Sequence, residues 1–123
     1  MKKLTPTHEH RLETERNIWV ATTRPDGRPH LAPVWFVWHD NAIWFCSQAK
    51  SVRARNLGGN HAIAFSLEDG DKPLIGEGRA THVPKTVSPI VIQQFQAKYD
   101  WNIIEDIEYD ALFRVAIQKW MHW

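Results

Sequence analysis

The stretch His30 to His39 constrains the fold more than any other part of the chain. Read as a strand, it sends Leu31, Pro33, Trp35 and Val37 to one face and Ala32, Val34, Phe36 and Trp38 to the other. Both faces are apolar. An antiparallel strand ordinarily keeps one face in water, so this one predicts a barrel interior on one side and a helix, a second subunit or a ligand on the other. Pro33 has no amide proton and interrupts the ladder, either as an edge or bulge or as a place where another group approaches.

The flanking segments read as short antiparallel elements. Ile18 to Thr23 is β-branched and aromatic and runs into Arg24-Pro25-Asp26-Gly27, a turn in which proline presets φ and glycine permits its positive values. Asp40-Asn41 turns the chain into a third strand, Ala42 to Ser47. Further strands are predicted at His61 to Leu67, Leu74 to Val83 and Ala111 to Ile117. Gly76 and Gly78, two apart on one face, suit a bulge or a close approach of another chain or ligand.

Helices are predicted at three places. Thr5 to Glu15 carries Pro6 in its first turn, Lys50 to Leu57 is closed by Gly58-Gly59, and Ser88-Pro89 starts a segment with Ile92, Phe95 and Tyr99 at helical spacing. No strand-helix-strand repeat occurs. The expected fold is mainly β: an antiparallel split β-barrel of about six strands with two or three short helices, forming one domain over 1–123.

Seven tryptophans in 123 residues are too many for a small core to absorb easily. About half suit ordinary packing; the others suit a subunit interface or the pocket of a flat ligand. The terminal Trp120-Met121-His122-Trp123 is expected to be docked, on a partner subunit.

Fifteen Lys and Arg against 14 Asp and Glu leave a net charge of +1, which gives no field to draw in nucleic acid or an anionic membrane. Any anion site must be local. The lone Cys46 excludes an intramolecular disulfide and a cysteine zinc cage, and its place in a strand suits a small buried thiol. The histidines are scattered apart from His8 and His10, so no metal site is expected. The polar start and the lack of a membrane-spanning run make a cytoplasmic location the expectation.

Chemistry concentrates in Ser47-Gln48-Ala49-Lys50-Ser51-Val52-Arg53-Ala54-Arg55, where a strand end passes into a helix. A helix N-terminus offers free amides and the positive end of a dipole, and Lys50, Ser51 and Arg53 add donors suited to a phosphate. Composition alone leaves two readings, a phosphate site and a solvated basic helix. An apolar, proline-interrupted strand beside it favours a ligand with a flat ring and a charged tail.

At these residues the sequence resembles the flavin mononucleotide (FMN)-binding split barrels of the pyridoxamine 5′-phosphate oxidase-like superfamily. The matching segments are Thr-Arg-Pro-Asp-Gly-Arg-Pro-His-Leu-Ala-Pro-Val-Trp-Phe (23–36), Ile-Trp-Phe-Cys-Ser (43–47), Lys-Ser-Val-Arg-Ala-Arg-Asn-Leu (50–57) and Gly-Glu-Gly-Arg-Ala (76–80). The resemblance implies that the backbone of Ala32, Pro33, Val34 and Trp35 lies along the flavin ring. It further implies that Ser47, Lys50, Ser51 and Arg53 hold the phosphate. The adjacent basic pair of some members is missing, since Val52 precedes Arg53.

Cofactor binding between the two protomers of a homodimer is also implied, with the strand around Glu77 and the terminal Trp120 or Trp123 closing the site from the partner. The implied activity is hydride transfer through FMN between a small-molecule substrate and a reduced nicotinamide or other donor. The flavin carries that chemistry, so no protein catalytic group is assigned. A deazaflavin-dependent reductase and a non-catalytic flavin-binding module are the alternatives.

Overall fold

The computed structural model describes residues 3–123. Its elements follow the chain as α1 (Pro6–Thr14), β1 (Asn17–Thr23), β2 (Pro29–Trp35), β3 (Val37–His39), β4 (Ala42–Ser47), α2 (Val52–Gly59), β5 (Ala62–Leu67), β6 (Leu74–Val83), α3 (Pro89–Tyr99) and β7 (Ala111–His122). The strands form one antiparallel sheet in the order β2-β1-β5-β6-β7-β4-β3. Its two outermost strands, β2 and β3, are separated in the chain by Phe36 alone. The sheet therefore curls until its ends meet at that residue, and the result is a half-barrel with three helices.

Each expected strand is present, and the number rises to seven because His30 to His39 is divided. Residues up to Trp35 pair with β1, whereas Val37 to His39 pair with β4, so the chain leaves one edge of the sheet for the other at Phe36. The alternation of side chains persists across the break. Val34, Phe36 and Trp38 pack into the barrel interior with Ile18, Val20, Ile43, Phe45 and Phe65. Val37 belongs to a second apolar layer, in which Trp44, Cys46 and Leu112 of the sheet meet Val91, Phe95 and Tyr99 of α3.

Local chemistry explains the element ends. Thr5 and His8 form a reciprocal capping box at α1, while the Ser51 and Ser88 hydroxyls accept the amides of Ala54 and Val91 at the starts of α2 and α3. Asp40 and Asn41 both adopt left-handed φ, 55° and 52°, which a two-residue hairpin turn with the native strand twist requires.

Gly76 and Gly78 flank the bulge that their spacing suited, and what approaches them closely is this chain itself. A β-carbon at Gly76 would collide with the Phe65 ring, one at Gly78 would meet the Ala116 carbonyl, and the β6/β7 register shifts between Glu77 and Gly78. Gly76 is also the cross-strand partner of Trp120, whose indole fills the interior edge-on to Phe65 (5.5 Å) and to Trp38 (5.8 Å).

The end of β7 departs from expectation. The strand extends past Ile117 to His122, because Leu74, Ile75 and Gly76 of β6 offer it continuing partners. Trp120 is thus buried in its own chain's core, and Trp123 is 79% exposed. Of the other tryptophans, Trp44 is buried, Trp38 and Trp101 are half-buried, and Trp19 and Trp35 are exposed. Among the described residues, no helix is long and apolar enough to cross a membrane.

Candidate functional site

Where the chain changes sheet edge at Phe36, its backbone groups lose their ladder partners. Tyr99, at the last turn of α3, supplies replacements: its hydroxyl oxygen accepts the Phe36 amide at 2.9 Å and lies 2.7 Å from the carbonyl oxygens of both Phe36 and Arg16. The single hydroxyl proton serves one carbonyl at a time. Lys98 Nζ donates to the Phe36 carbonyl at 3.1 Å and sits 4.0 Å above its ring. Burial, with Arg16 nearby, lowers the Lys98 ammonium to about 8, and burial raises the Tyr99 phenol to about 12.

Behind Trp35, this corner backs a cleft of about 410 Å³. Pro33, Val34 and Trp35 line it from β2, Cys46 from β4, Arg53 from α2, and Trp101, Asp106 and Tyr109 from the connection between α3 and β7. The Trp35 ring lies flat on Tyr99, 4.5 Å between centroids and 9° from parallel, with the Arg16 guanidinium 5.4 Å from it. Trp101 stands edge-on to Trp35, Phe95 and Tyr109.

Asp106 organises the connection. One of its oxygens accepts the amides of Glu108 and Tyr109, the other accepts the Trp101 indole N–H at 2.8 Å, and these bonds hold its carboxyl below the ordinary range. The volume, and a lining in which Trp35, Trp101 and Tyr109 meet a few polar groups, are those of a small-molecule site. Cys46 adds no reactivity, since burial pushes its thiol up to about 12.

At the α2 end, Ser51 is committed to the helix cap and lies 2.9 Å from the hydroxyl of Ser47, which is fully buried. Lys50 is exposed and Ala32 half-buried, and both fall outside the cleft lining. Arg53 is the cation that reaches into the cleft. Its Nε is buried without a hydrogen-bond partner among the described residues, and burial lowers its pKa.

Of the expected site residues, Pro33, Val34, Trp35 and Arg53 therefore meet in one cleft. Ser47 and Ser51 adjoin it as a hydroxyl pair beneath the start of α2, and Trp120 stands apart inside the barrel. Sequence reasoning missed Asn17, Trp101, Asp106 and Tyr109. The run Asp106-Ile107-Glu108-Tyr109-Asp110, with its carboxylates bracketing a connection after a helix, was the available signal for a turn-forming Asp106.

An antiparallel half-barrel with a cleft lined by Trp35, Trp101 and Tyr109, and the half-buried Arg53 facing that cleft, defines a split-barrel protein. The chain belongs to the pyridoxamine 5′-phosphate oxidase family, whose model matches residues 4–123. Among solved structures it is similar to an F420 reductase, at 25% identity over 96% of this chain and 98% of that one, with a TM-score of 0.77. It shares its fold with the heme storage protein HutZ of Vibrio cholerae (21% identity, 98% and 95% of the two chains, TM-score 0.80). The same holds for an FAD-binding protein of Mesorhizobium loti (16% identity, 95% and 92%, TM-score 0.66). No curated protein matches the chain in sequence.

Proposed function

We propose that the chain binds FMN in the split cleft as a homodimer and works as a flavin-dependent oxidoreductase. The observation that carries this reading is the meeting of Pro33, Val34 and Trp35 with Arg53 in one cleft of about 410 Å³. The flat ring is assigned to the β2 wall, with the backbone of Ala32 continuing that wall. The phosphate is assigned to Arg53, with Lys50 and the Ser47–Ser51 pair at its border.

The residues fit such a group. A buried guanidinium nitrogen without a partner is costly, and an anion would satisfy it. As an edge strand, β2 leaves half of its backbone groups available to a ligand. FMN, when bound, supplies the redox chemistry; the chain supplies placement and exclusion of water. Trp35, held flat by Tyr99, and Trp101, anchored by Asp106, form the rigid aromatic wall that does this.

A second copy is assigned to the outer face of β2 and β1. Leu31 is 62% exposed, Trp35 42% and Trp19 38%, and with Pro33 they form an apolar row across two paired strands. Such a row suits a partner surface. The F420 reductase, similar at 25% identity over nearly both chains, supports a deazaflavin as the second reading.

The visible absorption spectrum of the purified protein, before and after adding FMN and removing unbound ligand, tests the reading. Flavin bands that travel with the protein are expected, followed by oxidation of a reduced nicotinamide. A protein that retains F420 but no FMN supports the second reading, and one that retains neither refutes both.

A further inference from the structure

The connection from α3 to β7 builds one wall of the cleft, yet little packing holds it in place. Ile103 is fully buried with Val91 and Phe95 of α3, but beyond it Ile104 is 44% exposed and Ile107 91%. Asp106 and Tyr109, which reach the cleft, therefore sit on a segment with neither regular structure nor a core of its own. Hydrogen bonds have to fix its position, and its shielded backbone carbonyls need donors.

Lys85 supplies them. Its Nζ donates to the carbonyl oxygens of Ile103 and Asp106, both at 2.6 Å. The first belongs to the residue that seats the connection in the core and the second to the residue that organises the wall, so one ammonium ties the wall to its foundation. Lys85 stands on the link between β6 and α3, where the Val87 amide donates to the Pro84 carbonyl at 3.0 Å, so the post is itself part of a closed turn. The ammonium is half-buried and has no carboxylate within ion-pair distance among the described residues. The two carbonyls are what it is directed to.

From Asp106 the hold passes to the aromatic groups. Its carboxylate accepts the Trp101 indole N–H at 2.8 Å and the Tyr109 amide at 3.0 Å, and Trp101 stands edge-on to Tyr109 (5.8 Å) and, towards β2, to Trp35 (5.9 Å). Lys85 and Asp106 both act on the Cys46 thiol in the cleft lining, while Lys85 lies outside that lining. Its influence on a ligand therefore runs through the wall.

We propose that Lys85 is a positioning residue for the cleft: gripping the connection through two carbonyls, it sets the spacing between the Trp101–Tyr109 wall and β2, and with it the affinity for the flavin ring rather than for its phosphate. This rests on the reading of the cleft as a flavin site. A ring that enters between walls already fixed does not have to order them itself.

The test is to titrate the full chain, Lys85→Met and Lys85→Arg with FMN and with riboflavin, which carries the same ring without the phosphate. The Trp101 indole N–H is followed by NMR in the ligand-free proteins, its signal being identified by its loss in Trp101→Phe. Lys85→Met, of similar reach but without a donor, is expected to weaken FMN and riboflavin by the same factor, roughly tenfold. Its Trp101 signal should shift and exchange faster with solvent, and Lys85→Arg should recover most of both effects. Should Lys85→Met fail to fold, Lys85→Gln is read on the same two scales. Unchanged affinity for both ligands, a loss confined to FMN, or a Trp101 signal that stays in place overturns the proposal. If the native chain retains no flavin, the flavin reading fails by itself; the Trp101 signal then decides the clamp alone, which movement in Lys85→Met upholds and an unmoved signal overturns.

Discussion

The Tyr99 hydroxyl holds both backbone groups of Phe36, accepting the amide at 2.9 Å and lying 2.7 Å from the carbonyl oxygen. Phe36 is where the chain leaves one edge of the sheet for the other, so one α3 side chain replaces the strand partner that this residue lacks. The same ring supports Trp35 in the cleft wall. Closure of the barrel and construction of the site therefore depend on one residue.

Tyr99→Phe keeps the ring and removes the hydroxyl, leaving the buried Phe36 amide without a partner. The expected destabilisation is about 1–3 kcal/mol, seen as a lower urea midpoint with an unchanged slope. Because the ring still backs Trp35, ligand binding should weaken less than stability does.

The pH response of this corner has two opposed parts. Lys98 titrates at about 8 in the folded chain against an ordinary 10.5, so between these values only the unfolded chain keeps the proton and stability rises with pH. Tyr99 titrates at about 12 against 10.0, so between those values only the folded chain keeps its proton and stability falls. Urea midpoints collected from about pH 8 to 11 should rise and then fall. Lys98→Met should abolish the rise and leave the fall; a native midpoint that declines throughout would contradict the assignment.

Gly76 is expected to resist substitution for a reason of packing. Its missing side chain makes room for the Phe65 ring, which in turn meets the edge of Trp120. Gly76→Ala should destabilise by roughly 1–3 kcal/mol through overpacking of this interior. Adding Phe65→Leu should recover part of that loss, and a double variant no better than the single one would show that the ring is not the obstacle.

Much of this architecture was legible because local signals agreed with one another. The two hairpin turns and the Ser88-Pro89 helix start are used as they read, and Gly76 and Gly78 flank a bulge, one of the two uses their spacing suited; Ser51, read as a phosphate donor, caps α2. The two-faced strand was legible as apolar on both sides, but burial of both was not found: the face of Leu31, Pro33 and Trp35 is exposed in the chain. The division at Phe36 was not legible, since alternation continues through it and nothing in the residues marks a change of pairing partner. Trp120 was misplaced because an apolar residue near a chain end reads alike whether its strand stops or continues; its pairing with Gly76 decides the matter. The cleft wall after α3 was missed because Trp101, Asp106 and Tyr109 come together through side-chain bonds to an irregular backbone, which no periodicity reveals.

Arg53→Ala should weaken FMN binding by about 1.5–3 kcal/mol, roughly ten- to a hundredfold, by removing a charge-assisted contact. Since Arg53 Nε has no hydrogen-bond partner among the described residues, the variant should fold at least as well as the native protein. Fluorescence titration beside a thermal melt separates the two effects. Unchanged affinity would move the phosphate to Lys50, whose exposed ammonium is the other cation at the start of α2.

The outer face of β2 and β1 supplies the last prediction. Leu31 and Trp19 make no use of their exposed surface within the chain, yet Leu31, Pro33 and Trp35 lie in one row, and Trp19 pairs across to Pro33. Burying a leucine side chain is worth about 1.5–3 kcal/mol, and in a two-fold dimer each such residue counts twice. Leu31→Asp should therefore convert a dimer to monomers in sedimentation velocity while leaving the barrel intact, because the residue touches none of the interior. If the cofactor lies between protomers, the monomeric variant should also lose FMN, although Leu31 is outside the cleft lining. A monomer that keeps its flavin would separate the two roles of β2 and confine the cofactor to the cleft of one chain.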